Sequence, residues 1–280
     1  MTKLDSERYW VVASDTAHRH VETLMRRRFH ATRAHAFVTD VTSAYAQINI
    51  QGPLSRRLLQ SVTTADLSNE AFGFRTAREI DLGFARVLCI RITYLGELGY
   101  ELYIPAEQAV HVYDRLVAAG AEHGLRHAGL KALSSLRMEK GYRDYGHDID
   151  NTDSVLEAGL GFAVALDKPS FVGRDAVLAF KARGPMKRRL VQVLVTDPKP
   201  LMFHAEVVRR DGVPVGYVRA ASYGFTVGGA VGLAMIEADE AVTPEYLDSG
   251  EWTVEIGASV YPARVSLRPL YDPRNERVKM

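Results

Sequence analysis

Apolar and aromatic positions recur along this chain at two periods, and the switches between them mark its elements. Tyr9-Trp10-Val11-Val12 is aromatic and β-branched, which predicts a strand over 8–14. Val21, Leu24, Met25 and Phe29 then repeat at helical spacing, with Asp15 or Thr16 as the candidate cap. A short strand is predicted over 46–51 and stops at Gly52-Pro53. Leu54, Leu58, Leu59 and Val62 share one face of the helix after it. Residues 86–94 and 100–105 read as strands. Val110, Tyr113, Leu116 and Val117 give 106–123 the apolar side of a helix that Gly124 ends. A further helix over 127–140, with Leu130, Leu133, Leu136 and Met138 inward, leads into the polar and aromatic stretch Gly141–Asp150.

Beyond Gly184-Pro185 the period becomes that of short strands: 189–196, 205–210, 214–220, 229–237, 252–256 and 260–267. Asp211-Gly212 supplies a hairpin turn between the second and third. The order predicts an α+β protein: a layered domain over 1–185 with ferredoxin-like pairing, and a small C-terminal β-barrel or sandwich over 186–280.

Composition narrows the function. The chain has 280 residues, and its 35 lysines and arginines nearly cancel 34 aspartates and glutamates, which argues against nucleic acid as the main partner. The single cysteine, Cys89, excludes an intrachain disulfide and any multi-cysteine metal site, and its neighbours Val87, Leu88 and Ile90 predict a buried, inert thiol. The start, Met1–Glu7, is charged, and no apolar run reaches membrane-spanning length. A cytoplasmic protein without a membrane partner is the expectation.

The candidate chemistry centres on Thr93–Tyr103, reading TYLGELGYELY. Gly96 and Gly99 flank Glu97, so the backbone can bend there and present an acceptor-only carboxylate beside aromatic rings such as Tyr94. That arrangement suits a flat heterocycle with N–H donors; a solvent-facing turn has the same sequence. Arg137, at the end of an apolar helix, can hold a substrate carboxylate, or pair with Glu139 or Glu157. Tyr145, His147, Asp148 and Asp150 form a weak metal pattern without a second histidine at ligand spacing, and also suit hydrogen bonds that fix a loop. Gly159-Leu160-Gly161 and Gly228-Gly229 lack the spacing of nucleotide loops, and no Gly-x-Ser-x-Gly occurs.

Nine ordered segments carry a resemblance. They begin with Gly52-Pro53-Leu54-Ser55-Arg56, Asp66–Phe72, Thr76–Asp81 and the Glu97 motif. Leu136–Tyr142, Gly146–Ile149, Glu157–Leu160, Phe171–Arg174 and Ser266–Tyr271 follow. Together they resemble the folate-binding aminomethyltransferase module. That module forms the T-protein of the glycine cleavage system and the C-terminal half of dimethylglycine and sarcosine dehydrogenases, the dehydrogenase branch being the nearer match. The resemblance implies a cloverleaf of α+β subdomains closed by a barrel, and tetrahydrofolate as acceptor of a one-carbon unit from an aminomethyl or N-methyl donor. It places Glu97 on the pterin, Tyr94 stacking beside it, and Arg137 in or near the folate pocket. It also implies a catalytic aspartate from a strand that would lie before Met1, leaving the catalytic residue of this chain unknown. A flavoprotein or an N-terminal partner chain would then complete the enzyme and cover the exposed sheet edge. A non-catalytic folate-binding module and an inactive relative are the alternatives. Iron–sulfur-maturation relatives carry a cysteine motif where this chain reads Lys168-Pro169-Ser170-Phe171.

Overall fold

The computed structural model describes residues 1–15 and 17–280, which form two compact units. Unit 1 comprises Met1–Thr93, Glu97–Arg126 and Arg277–Met280; unit 2 comprises Tyr94–Gly96 and His127–Glu276. The sequence boundary near 185 falls inside unit 2.

Unit 1 opens with a short antiparallel pair, β1 (Thr2–Lys3) and β2 (Tyr9–Trp10), followed by α1 (His18–Thr32). The strand expected over 8–14 is thus cut to two residues, because only Thr2 and Lys3 pair with it; Val11 and Val12 are exposed. Of the candidate caps, Thr16 lies outside the described residues; Ala17 takes the N-cap position of α1 without a side-chain cap.

The centre of unit 1 is a four-stranded antiparallel sheet in the order β3-β6-β5-β4: β3 (Tyr45–Gln51), β4 (Ala77–Leu82), β5 (Ala85–Ile90) and β6 (Gly99–Pro105). Ile80, Leu82, Val87, Cys89, Tyr100, Leu102 and Ile104 face one side. That side packs on Leu58 and Leu59 of α2 (Ser55–Gln60) and on Val112 and Leu116 of α3 (Ala109–Gly120). α3 is turned relative to its apolar spacing: Val112, Leu116 and Gly120 are buried, whereas Val110 and Tyr113 are exposed. Strand β4 had no counterpart among the expected strands. On the other face, the Trp10 ring meets Tyr45 at 5.0 Å and Tyr103 at 5.3 Å, edge-on.

Unit 2 is built on a closed antiparallel barrel in the order β10-β7-β12-β11-β8-β9. Its strands are β7 (Arg188–Val195), β8 (Val207–Arg210), β9 (Val213–Gly224), β10 (Gly229–Glu237), β11 (Trp252–Ile256) and β12 (Ser259–Ser266). Asp211 and Gly212, both with positive φ, make the tight turn between β8 and β9. Strand β7 is buried on both faces. Val191, Val193 and Val195 enter the barrel core, while Leu190 and Leu194 join Met138, Ile149, Ala158, Leu233 and Met235 in an outer cluster. Helix α4 (Leu130–Glu139) covers that outer cluster, and α5 (Arg174–Ala182) precedes the barrel. The short α6 (Pro244–Asp248), capped by the Thr243 hydroxyl, contributes Tyr246 and Leu247 to the barrel core.

Candidate functional site

In unit 2, the Tyr94–Gly96 stretch sits on the residues that follow α4. The Tyr94 hydroxyl donates to the Arg143 carbonyl at 2.9 Å, and its ring stacks on Tyr142 at 5.9 Å with planes 10° apart. Gly96 has φ +80°, and a Cβ there would lie 2.8–3.0 Å from Cβ, Cγ and Cδ of Lys140. Only glycine meets both conditions, the left-handed backbone and the contact with the lysine stem. Burial pushes the Tyr94 phenol up to about 12.

Glu97, the next residue, belongs to unit 1 and is half-buried. The backbone beyond it is fixed: the Leu98 carbonyl accepts from the Gly52 amide at 2.8 Å and the Ser55 hydroxyl at 3.1 Å. Gly99 pairs with Gln51 across the sheet, and a Cβ on Gly99 would overlap the Gln51 amide. Gln51 Oε1 is buried without a hydrogen-bond partner. Unit 1 therefore holds a carboxylate, at Glu97, and an unpartnered amide acceptor, at Gln51, near the start of β6, and both are of the kind that accepts from the N–H edge of a flat heterocycle.

Arg137 is buried, and its guanidinium is engaged within unit 2. Nη1 donates to Asp148 Oδ2 at 2.5 Å and to the Tyr142 carbonyl at 3.0 Å, and Nη2 to Asp148 Oδ1 at 3.3 Å. Burial opposes the charged form, but the hydrogen bonds and charge of Asp148 prevail and raise the Arg137 pKa. Asp148, fully buried, also accepts from the Asp144 amide at 2.9 Å, and His147 Nδ1 lies 2.9 Å from Oδ1. Asp148 thus ties the 141–150 loop to α4, the loop-fixing alternative of the sequence pattern. Asp150 receives the Thr152 amide and hydroxyl, and Tyr145 is exposed. Among the described residues, no group of three or more His, Cys, Asp or Glu side chains could hold a metal ion.

The two residues that follow Met138 are likewise buried and paired. Glu139 Oε1 accepts from the Thr226 and Val227 amides at 2.6 and 3.0 Å. Lys140 Nζ donates to Asp272 Oδ2 at 2.9 Å and to its carbonyl at 2.5 Å. Sequence reasoning passed over Gln51, Tyr142, Lys140 and Asp272. The signal for Gln51 is its register opposite Gly99, and for Lys140 the cluster of charges after Leu136 in an otherwise apolar face.

A family model described as the GCVT N-terminal domain matches residues 1–168, and one described as the glycine cleavage T-protein C-terminal barrel domain matches 188–272. The chain belongs to the glycine cleavage T-protein family. Among its relatives, 4-methylaminobutanoate oxidase (formaldehyde-forming) of Paenarthrobacter nicotinovorans is 40% identical over 100% of this chain and 33% of its own length. The mitochondrial sarcosine dehydrogenase of Homo sapiens is 39% identical over 93% of this chain and 28% of its own length. An aminomethyltransferase of Halothermothrix orenii is 38% identical over 74% of this chain and 57% of its own. The chain thus spans about a third or less of the oxidase and the sarcosine dehydrogenase. The crystal structure of glycine cleavage system aminomethyltransferase T from Bartonella henselae, 21% identical, shares the T-protein fold with a TM-score of 0.73 over 92% of this chain and 67% of that one. No helix among the described residues is long and apolar enough to cross a membrane.

Proposed function

We propose that this T-protein relative binds tetrahydrofolate and passes to it a one-carbon unit from an aminomethyl or N-methyl donor, in the cytoplasm. Tetrahydrofolate supplies the nucleophilic nitrogens that capture the carbon. The chain's residues bind and orient it: Glu97 accepts from the pterin N–H groups, Tyr94 offers an aromatic face, and Arg137 fixes the 141–150 loop of its own unit through Asp148. Gln51 Oε1 joins Glu97 as a second acceptor. The observation that carries this reading is the match to both T-protein domains, in order, along the chain. A flavoprotein partner is proposed to generate the activated donor; the similarity to the oxidase and dehydrogenase relatives supports that reading.

Calorimetric titration of the chain with tetrahydrofolate tests binding, and Glu97→Gln is expected to raise Kd about tenfold. Turnover is then measured as methylene-tetrahydrofolate formed from an N-methyl amine in the presence of the flavoprotein. Binding without turnover selects the non-catalytic folate module, and absence of binding removes both readings.

A further inference from the structure

The buried pair Lys140–Asp272 has no part in the proposed recognition of folate, yet it lies directly under the Tyr94–Gly96 bend. We infer that Lys140 is a positioning residue for that bend. Its aliphatic stem is the floor on which Gly96 rests, and Asp272 pins the ammonium so that the stem keeps its place. The inference rests on the folate reading above, and it concerns unit 2 alone.

Three contacts from residues 140, 142 and 143 hold this piece of backbone. The Lys140 stem meets Gly96, where even a methyl group would find Cβ, Cγ and Cδ of the lysine within 2.8–3.0 Å. Tyr142 stacks on the Tyr94 ring, and the Arg143 carbonyl takes the Tyr94 hydroxyl proton at 2.9 Å. Of the three, only the Lys140 contact depends on a long side chain that would otherwise be free to rotate. Its far end is fixed by two oxygens of Asp272, and both side chains are withdrawn from water, at 0% and 7% exposure. Replacing such a pair by apolar groups of similar volume is often neutral for stability, so stability alone does not explain a lysine here. A stem of fixed length, held at its tip, does explain it: it sets the height of Gly96 and, through the backbone, the plane of the Tyr94 ring. Errors of about 1 Å in such a support weaken a site strongly.

Two double variants separate the stem from the charge. Lys140→Met/Asp272→Asn keeps a long apolar side chain and removes both charges, whereas Lys140→Ala/Asp272→Asn removes the stem as well. Val254→Ala, in the barrel core, serves as a control of reduced stability. Tetrahydrofolate Kd is expected to rise about threefold for the methionine variant, whose stem has lost its anchor, and about tenfold or more for the alanine variant, which has no stem. The control is expected to leave it unchanged. Hydrogen–deuterium exchange of a peptide covering residues 93–99, measured without ligand at matched global stability, is expected to accelerate in the methionine variant and further in the alanine variant. Equal exchange in the two double variants overturns the positioning role whether or not folate binds. Loss of binding in the unaltered chain, with the exchange pattern as expected, defeats the folate reading and keeps the platform.

Discussion

Helices α1 and α4 reverse the usual relation between sequence and burial. α1 has the better apolar stripe, Val21, Leu24, Met25 and Phe29, yet none of its 15 residues is buried and Leu24 is 59% exposed. α4 has a weaker stripe, with Leu130 80% exposed, yet it buries Arg137, Met138, Glu139 and Ser135. The difference lies in what each helix meets. α4 lies on the outer face of β9 and β10, where carboxylates, amides and carbonyls of unit 2 answer its two buried charges, Arg137 and Glu139. Around α1, no described residue from 1 to 49 is buried at all. An apolar stripe promotes burial only where another surface receives it, and charges enter a core wherever partners are already placed.

Asp148→Ala should break the α4 side of this contrast most severely. It leaves the Arg137 guanidinium, 9% exposed, without its carboxylate, and the expected loss is about 3–5 kcal/mol in urea unfolding. A value below about 1 kcal/mol would show that the buried charges of α4 are dispensable. A milder effect belongs to Tyr94. Its phenol is held near 12, above the ordinary value of about 10, so the folded state keeps a proton that the unfolded state releases. That stabilisation is complete below pH 10 and is lost between pH 10 and 12. Ultraviolet titration should show one late-ionising phenol fewer in Tyr94→Phe, with a shallower alkaline loss of stability. The smallest change is expected from Leu24→Ala on α1, within about 0.5 kcal/mol, because the side chain is already in water. A larger loss there would mean that α1 is covered in solution.

Much of the fold is legible in the sequence because its signals are local. Strands β10 and β11 lie where apolar runs between turn residues place them, and the Asp211-Gly212 turn follows from two residues that tolerate positive φ. β4 escaped because Arg78, Glu79 and Asp81 dilute its alternation; Ile80 and Leu82 declare themselves only once β5 pairs with them. The rotation of α3 has the same origin, since the sheet beneath decides which of two adjacent apolar stripes is inside. At the site, the glycines around Glu97 marked the bend, and the residues that seat it remained unread. The Lys140–Asp272 and Gln51–Gly99 relations join positions far apart in sequence, and a lysine or a glutamine carries no local mark of what it will touch.

Cys89 gives the molecule an internal clock. It is the only thiol, it is buried in strand β5 of unit 1, and burial pushes its pKa well above the ordinary thiol range. A thiol reagent added to the native protein therefore meets a protonated sulfur that it cannot reach, and labels it only in molecules whose central sheet has come apart. Labelling rate measured against denaturant then times the opening of unit 1 and is blind to events confined to the barrel. One atom thus reports the lifetime of one part of the chain, apart from the other, without an engineered site.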